Sequence, residues 1–257
     1  MPRFAANLTL LFTEYPFMER YGAAARAGFK GVECLFPYEW PAKVLAECLR
    51  AHDLRQVLFN LPAGDWDAGD RGLAALPGRE AEFRDGVERA LAYTEALDCP
   101  RVNCLAGIPS PDADPEHCFE TLVHNLRYAA DQLAEQGREV TVEPINTRVD
   151  MPGFFLATSD QALAAITAAD RPNLRLQYDL YHAWVMGEAV AASLSRLRPH
   201  IGHVQFADAP GRHQPGSGEM PLAELFARLD QIGYQGWVSA EYRPLGHTRD
   251  SLGWLPV

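Results

Sequence analysis

Eight short runs rich in β-branched and aromatic residues recur along this chain, at positions 4–8, 31–35, 56–60, 101–105, 139–143, 174–179, 201–206 and 237–241. Between them lie stretches rich in Ala, Leu, Arg and Glu, at 17–27, 42–52, 80–97, 118–136, 159–169, 189–197 and 222–232. Apolar residues there recur at three- and four-residue spacing, as at Leu122, Leu126, Ala129 and Leu133, the period of a helix that buries one face. Strand alternating with helix implies a parallel sheet, because parallel neighbours need a long crossover and the helices cover the sheet. Eight such units close into a barrel, so the expected fold is α/β, a (β/α)8 TIM barrel. The doubly wound fold is the alternative; no Gly-x-Gly-x-x-Gly follows the first strand, which weighs against it. With 257 residues, 47% hydrophobic and 22% charged, the chain can bury a substantial core. Residues 1–257 are expected to form one domain, as barrels of about this length commonly do.

A formal net charge of −11 argues against broad binding to nucleic acid or to anionic membrane, since both need dense Lys/Arg surfaces. The five cysteines, Cys34, Cys48, Cys99, Cys104 and Cys118, are odd in number and contain no Cys-x-x-Cys. Neither a disulfide framework nor a thiolate zinc site is indicated. There is no apolar run of about 18 residues and no signal-like start, so a soluble cytoplasmic protein with reduced thiols is expected.

Four polar residues each stand at the end of a late strand-like run: Glu143 in Val-Thr-Val-Glu-Pro, Asp179 in Leu-Gln-Tyr-Asp, Gln205 in His-Val-Gln and Glu241 in Val-Ser-Ala-Glu. A barrel gathers strand ends into a ring, so the four converge. Two glutamates and an aspartate buried together repel one another unless a cation joins them. Three carboxylates and an amide make an all-oxygen ligand set, the kind that Mg²⁺ and Mn²⁺ prefer. One divalent metal site held by Glu143, Asp179, Gln205 and Glu241 is therefore expected. Period-two alternation puts Thr141 on the side of Glu143 and His203 on the side of Gln205. The segment 60–79, with four glycines, two prolines, Arg71 and Arg79, reads as a functional loop.

Several longer strings carry more. They are Arg3-Phe-Ala-Ala-Asn-Leu, Gly31-Val-Glu33 with Phe36-Pro-Tyr38, Asn60-Leu-Pro-Ala-Gly-Asp-Trp66 and Pro77-Gly-Arg-Glu80. They continue in Glu143-Pro-Ile-Asn146, Gln177-Tyr-Asp-Leu-Tyr-His182, Pro215-Gly-Ser-Gly-Glu219 and Gly236-Trp-Val-Ser-Ala-Glu-Tyr242. In this order, over nearly the whole chain, they resemble the hydroxypyruvate isomerases of the xylose-isomerase-like barrel superfamily. The resemblance implies a (β/α)8 barrel and the same four metal ligands, with Glu143 and Glu241 as the proton-transfer pair. It also implies the activity, hydroxypyruvate to tartronate semialdehyde through an enediolate. One position departs from the family's pattern: Phe59 precedes Asn60-Leu-Pro where relatives carry histidine.

Under that reading the partner is a small hydroxy-keto acid, whose carboxylate needs an arginine receptor. Arg71 and Arg79 in the long loop and Arg212 after the seventh strand are candidates. His182 is placed to donate to a substrate oxygen, Trp66 to exclude water, and Asp208 to support the ligands from behind. A 2-oxo-tetronate isomerase or a ketose 3-epimerase would use the same metal and enediolate. A Schiff-base aldolase would need a buried lysine late in the chain, and only Lys30 and Lys43 exist. A sugar-binding barrel without catalysis would have no use for the paired glutamates. Neither nucleic acid nor membrane is an expected partner, and the sequence leaves a homo-oligomer open.

Overall fold

Parallel strand pairing runs without a break through β1 (Arg3–Asn7), β2 (Gly31–Glu33), β3 (Arg55–Asn60), β4 (Arg101–Cys104), β5 (Glu139–Val142), β6 (Leu174–Asp179), β7 (Ile201–Phe206) and β8 (Trp237–Ala240). β8 then pairs with β1, and the sheet closes into the expected barrel. The computed structural model describes residues 2–256. Around the barrel pack α1 (Phe17–Arg26), α2 (Ala42–Ala51), α3 (Glu80–Leu97), α4 (Pro115–Ala134), α5 (Ser159–Ala169), α6 (Leu180–Met186), α7 (Val190–Leu197) and α8 (Leu222–Gln231). No helix among the described residues is long and apolar enough to cross a membrane.

Local chemistry explains where the elements start. α4 begins three residues before the expected position because Asp114 caps it, accepting from the Glu116 N–H at 3.2 Å, and Pro115 supplies a preset φ at the first helical position. Thr158 and Gln161 form a reciprocal capping box at α5. α6 is an element that the sequence reading lacked. It starts directly at the end of β6, where the Asp179 side chain caps it by accepting from the N–H groups of Tyr181 (2.7 Å) and His182 (3.3 Å). It ends after seven residues at Gly187, whose φ of 85° suits glycine.

The C-terminal segment covers the barrel wall beside β1 and β7. A 3₁₀ turn at Thr248–Ser251 follows β8, and Trp254 then packs edge-on against Phe4 of β1 (5.1 Å) and Phe206 of β7 (5.0 Å). Trp254 Nε1 donates to the Tyr242 hydroxyl at 3.1 Å, which fixes the segment over the barrel wall.

Barrel interiors are ordinarily layers of branched apolar side chains. Here much of the interior is polar: Asn7, Glu33, Asn103, Thr141, Gln177, His203 and Gln205 are all buried. Strand register stacks them toward the C-terminal end, with Asn7 opposite Glu33, Asn60 opposite Asn103 and Asp179 opposite Gln205. Burying so many polar groups is tolerable only where they satisfy one another.

Candidate active site

A cavity of about 290 Å³ opens over the C-terminal strand ends, lined by residues that include Asn60, Glu143, His182, Arg212 and Glu241. Of three larger depressions, two of about 500 and 550 Å³ lie around Trp237 and Arg55 at the opposite end of the barrel, and one of about 400 Å³ lies beside Asp70 and Arg79. The C-terminal face is where the barrel's architecture concentrates chemistry, because it gathers side chains from many strands.

Glu143, one residue beyond β5, accepts at Oε2 from Asn103 Nδ2 (2.8 Å) and Gln177 Nε2 (3.0 Å). Glu241, one residue beyond β8, accepts at Oε1 from Arg212 Nη2 (2.6 Å) and at Oε2 from Asn7 Nδ2 (3.3 Å) and Gln205 Nε2. Asp179 spends Oδ1 on capping α6. Its Oδ2 is buried without any hydrogen-bond partner. An orphaned carboxylate oxygen in a buried site is costly unless something positive meets it. Glu143, Asp179 and His182 can each bring one ligand atom within 4.8 Å of the others.

The electrostatics point the same way. Burial and the neighbouring charges of Glu241 and Asp179 raise the Glu143 carboxyl well above its usual range. Burial pushes Glu241 up to about 8; Arg212 pulls it down, while Glu33 and Asp179 push it further up. Arg212 is the cation within this group. It reaches Asp150 Oδ1 at 3.1 Å as well as Glu241, and lies over the Tyr181 ring at 5.3 Å. One guanidinium does not balance Glu143, Asp179, Glu241 and Asp150 together, so the site lacks positive charge.

His182 is oriented by a loop residue that the sequence reading did not single out. The Asn146 oxygen accepts from the backbone N–H groups of Val149 and Asp150, both at 3.0 Å, so its Nδ2 is the atom that faces outward. That nitrogen donates one hydrogen to Asp150 Oδ2 (2.6 Å) and the other to His182 Nδ1 (2.7 Å). Nδ1 is therefore an acceptor, and the proton of the neutral ring sits on Nε2. Burial lowers the His182 pKa to about 4, so the ring is neutral at pH 7. Nε2 lies 3.7 Å from Asp179 Oδ2 and 3.9 Å from Glu143 Oε1, too far for a hydrogen bond to either. In this tautomer Nε2 presents an N–H, a donor and not a lone pair, toward the two carboxylates.

Gln205 is held from behind. Its Nε2 donates to Glu33 Oε1 (2.8 Å) and Glu241 Oε2, and its Oε1 accepts from Gln177 Nε2 at 2.6 Å. Glu33, at the end of β2, also accepts from Asn7 Nδ2 (3.0 Å) and His203 Nε2 (2.7 Å). Burial works against its charge, but His203 and the donors around it outweigh burial and hold the carboxyl below its usual range. Burial keeps His203 below its own ordinary value, consistent with a neutral ring donating from Nε2.

A family model described as the xylose isomerase-like TIM barrel matches residues 21–256. The chain belongs to that family. Its curated relatives include a 2-oxo-tetronate isomerase from Cupriavidus necator, 48% identical over 99% of this chain and 98% of the relative. A hydroxypyruvate isomerase from Escherichia coli is 44% identical, again over 99% and 98%. A solved structure from Brucella melitensis, described as an AP endonuclease of family 2, is 49% identical with a TM-score of 0.97 over 99% of this chain and 98% of that one. The curated relatives are isomerases, and this member of the family is an enzyme of that kind.

Within this family frame the remaining expected residues divide. Trp66 and Arg71 of the long loop line the cavity, and so does Arg212. Arg79 does not: it pairs with Asp70 of the same loop (2.7 Å) and with Glu82 in the first turn of α3 (2.7 Å). Asp208 does not support the ligands either. Its carboxylate accepts from the N–H groups of Ala209, Gly216, Gly218 and Met220, shaping the loop before α8. Phe59 faces away from the cavity and packs edge-on against Tyr38 (6.1 Å) and Tyr93 of α3 (6.5 Å). The departure from the family's histidine therefore falls on the helix-facing side of β3.

Proposed function

We propose that this enzyme isomerises a short 2-oxo-3-hydroxy acid, hydroxypyruvate to tartronate semialdehyde (2-hydroxy-3-oxopropanoate), by proton transfer through an enediolate with a divalent cation, Mg²⁺ or Mn²⁺. The observation that carries the reading is the buried Asp179 Oδ2, which has no hydrogen-bond partner and lies 3.7 Å from His182 Nε2 and 3.9 Å from Arg212 Nη2. The donor set fits a hard cation: Glu143, Asp179 and Glu241 supply carboxylate oxygens, and Gln205 supplies Oε1. When bound, such a cation supplies Lewis-acid stabilisation of the enediolate's negative charge.

The chain's own residues do the rest. The reaction takes a proton from C3, returns one to C2 and moves the hydroxyl proton from O3 to O2, so atoms balance without a co-reactant. Glu143 and Glu241 lie at the ends of β5 and β8 with the cavity between them, so each is placed to hold the migrating proton. The His182 Nε2–H donates to a substrate oxygen, and the Asn146 contact keeps that hydrogen in place. Trp66 and Phe36, 5.2 Å apart in a tilted pair, form an apolar shoulder of the loop that limits water.

A second reading, 2-oxo-tetronate isomerisation, is favoured by the 48% identical Cupriavidus necator relative. It uses the same C2–C3 unit with a hydroxymethyl group in place of one hydrogen. Nuclease action is disfavoured by the net charge of −11 and by a cavity lined by only one histidine, His182. The test is a panel of hydroxypyruvate, 2-oxo-tetronates and free ketoses, assayed after chelation and again with Mg²⁺ or Mn²⁺. Cation-dependent turnover of a 2-oxo-3-hydroxy acid is expected; turnover confined to free ketoses, or undiminished by chelation, would overturn the proposal.

A further inference from the structure

Both substrates just considered carry a carboxylate next to C2, and the cavity floor is a poor place for it. Glu143, Asp179, Asp150 and Glu241 crowd that floor, and Arg212 is fully committed to them. Its Nη1 is on Asp150, its Nη2 on Glu241 and its Nε on the Glu241 carbonyl at 3.4 Å. A receptor for the incoming carboxylate must come from cationic wall groups that no acid of the protein has already neutralised.

Two other arginines line the cavity, Arg71 and Arg243, and both meet that requirement. Arg71 lies flat on the Trp66 indole, 4.2 Å from the ring centre. Its Nη1 donates to the carbonyls of Trp66 (2.9 Å) and Asp70 (2.6 Å), which leaves Nε and Nη2 without partners among the described residues. The adjacent Asp70 carboxylate feels the Arg71 charge through space but makes no hydrogen bond to it; its oxygens accept instead from Arg79 Nη1 (2.7 Å) and the Asp65 N–H (2.7 Å). The loop that presents Arg71 is pinned. Gly72 donates to the Ala63 carbonyl at 3.0 Å and has a φ of 119°, and a side chain there would meet the Leu105 carbonyl oxygen at 2.3 Å. Arg243, two residues past Glu241, has its backbone tied to Arg212 (N–H to carbonyl, 2.8 Å) and to His213 (carbonyl to Nδ1, 2.7 Å). Its side chain makes no hydrogen bond or ion pair among the described residues.

We infer that Arg71, with Arg243 as a second cation, is the receptor for the substrate carboxylate. This rests on the reading of the enzyme as an isomerase of 2-oxo-3-hydroxy acids. The stacked, pinned guanidinium of Arg71 presents a fixed pair of donors, and a planar carboxylate is the complementary acceptor. The alternative is that both side chains are ordinary solvated surface cations.

The test compares R71M, R243M and the double variant with the wild type, all loaded with Mn²⁺. KM for hydroxypyruvate should rise about tenfold or more in each single variant, with a far smaller change in kcat, because the lost contact serves bound substrate and transition state alike. Calorimetric affinity for glycerate, an unreactive acid, should fall by a similar factor. The Ki of dihydroxyacetone, which has no carboxylate, should stay within about threefold of the wild-type value, as expected when no charge-assisted contact is lost. Circular dichroism checks the fold, and R71K with R243M decides the matter if R71M does not fold. Unchanged KM and glycerate affinity in the folded variants, or a dihydroxyacetone Ki that rises in step with them, would overturn the receptor. A wild type that turns over no 2-oxo-3-hydroxy acid defeats the functional reading instead, and glycerate binding still reports on the arginines.

Discussion

Glu33 Oε1 and Gln205 Nε2 lie 2.8 Å apart, and this contact ties the second strand of the barrel to the seventh through the middle of the site. Glu33 can only accept, so it draws the nitrogen of the Gln205 amide toward itself and leaves Oε1 on the side of Gln177 and Glu143. Gln205 is expected from the sequence to be a metal ligand, and its contact with Glu33 sets which of its two amide atoms would be available for that role.

Replacing Glu33 with glutamine removes that demand at almost constant volume. In Glu33→Gln the Gln205 amide can turn either way, and Mn²⁺ affinity should weaken by about tenfold, of the order seen when a residue supporting a metal ligand is lost. Stability should fall by about 1–3 kcal/mol, because His203 and Asn7 lose a charged acceptor in a buried network. Titration of free Mn²⁺ by electron paramagnetic resonance reads the first effect and denaturant unfolding the second. Wild-type Mn²⁺ affinity in the folded variant would show that Glu33 does not set the Gln205 orientation.

The Asn146 contact makes a sharper demand on His182. In Asn146→Asp the residue becomes an acceptor, so the imidazole proton moves to Nδ1 and Nε2 faces the cavity as a lone pair. The donor to substrate is lost, and kcat should drop by about 10²-fold or more, the scale of removing one positioned donor. Asn146→Ala, which leaves the tautomer free, should lose less. Nitrogen-15 spectra of the ring report the tautomer directly; an Nε2–H signal persisting in Asn146→Asp would refute the assignment.

Strand ends with a polar residue after a β-branched run are legible in the sequence at Glu143, Asp179, Gln205 and Glu241, because each string shows the change of character in place. Glu33 ends β2 in the same way, but Gly31-Val-Glu33 is only three residues long and gives no alternation to read. α6 escapes a sequence reading because seven residues rich in aromatics show no helical period, and because Asp179 is both strand end and helix cap. Asn146, Asp150 and Arg243 line or border the cavity from loops, and no local pattern announces where a loop side chain will point. Arg79 and Asp208 have the right chemistry in the right segments, yet nearer partners claim them.

Proton linkage predicts how the metal-free protein responds to pH. Glu241 has a folded-state pKa of about 8 against an ordinary 4.5, and Glu143 is displaced in the same direction, so the folded state binds more protons than the unfolded chain across that interval. Stability then falls as pH rises. His182, lowered from 6.5 to about 4, works in the opposite sense, but its contribution is complete above about 6.5. The melting temperature of chelated protein should therefore decline most clearly between about pH 6.5 and 8, and Mn²⁺ should raise it more at pH 8 than at pH 6. A melting temperature that is flat over this range in the presence of chelator would mean that the carboxylates ionise together without penalty, and the case for a cation would lose its electrostatic basis.

The proton-transfer pair can be tested by substitution and by label. Glu143→Gln and Glu241→Gln keep an oxygen for coordination but cannot take a proton, so each should lose at least about 10²-fold in turnover with the fold retained. A near-wild-type rate in either variant would remove that residue from the proton path. The label decides between proton transfer and hydride shift. The chain's only lysines, Lys30 and Lys43, lie outside the cavity, and the carboxylates gathered there are proton carriers. A carboxylic acid that has taken the substrate proton exchanges it with solvent at a rate set by access. Glu143 and Glu241 are 5% and 6% exposed, enough for slow exchange at the cavity wall. In D₂O the product should gain deuterium at the carbon that receives the proton, partially at early times and increasingly as substrate and product recycle. Complete retention of the substrate hydrogen at long times would favour the hydride route and end the enediolate reading, whereas labelling lost in Glu143→Gln but retained in Glu241→Gln would assign the exchanging proton to Glu143.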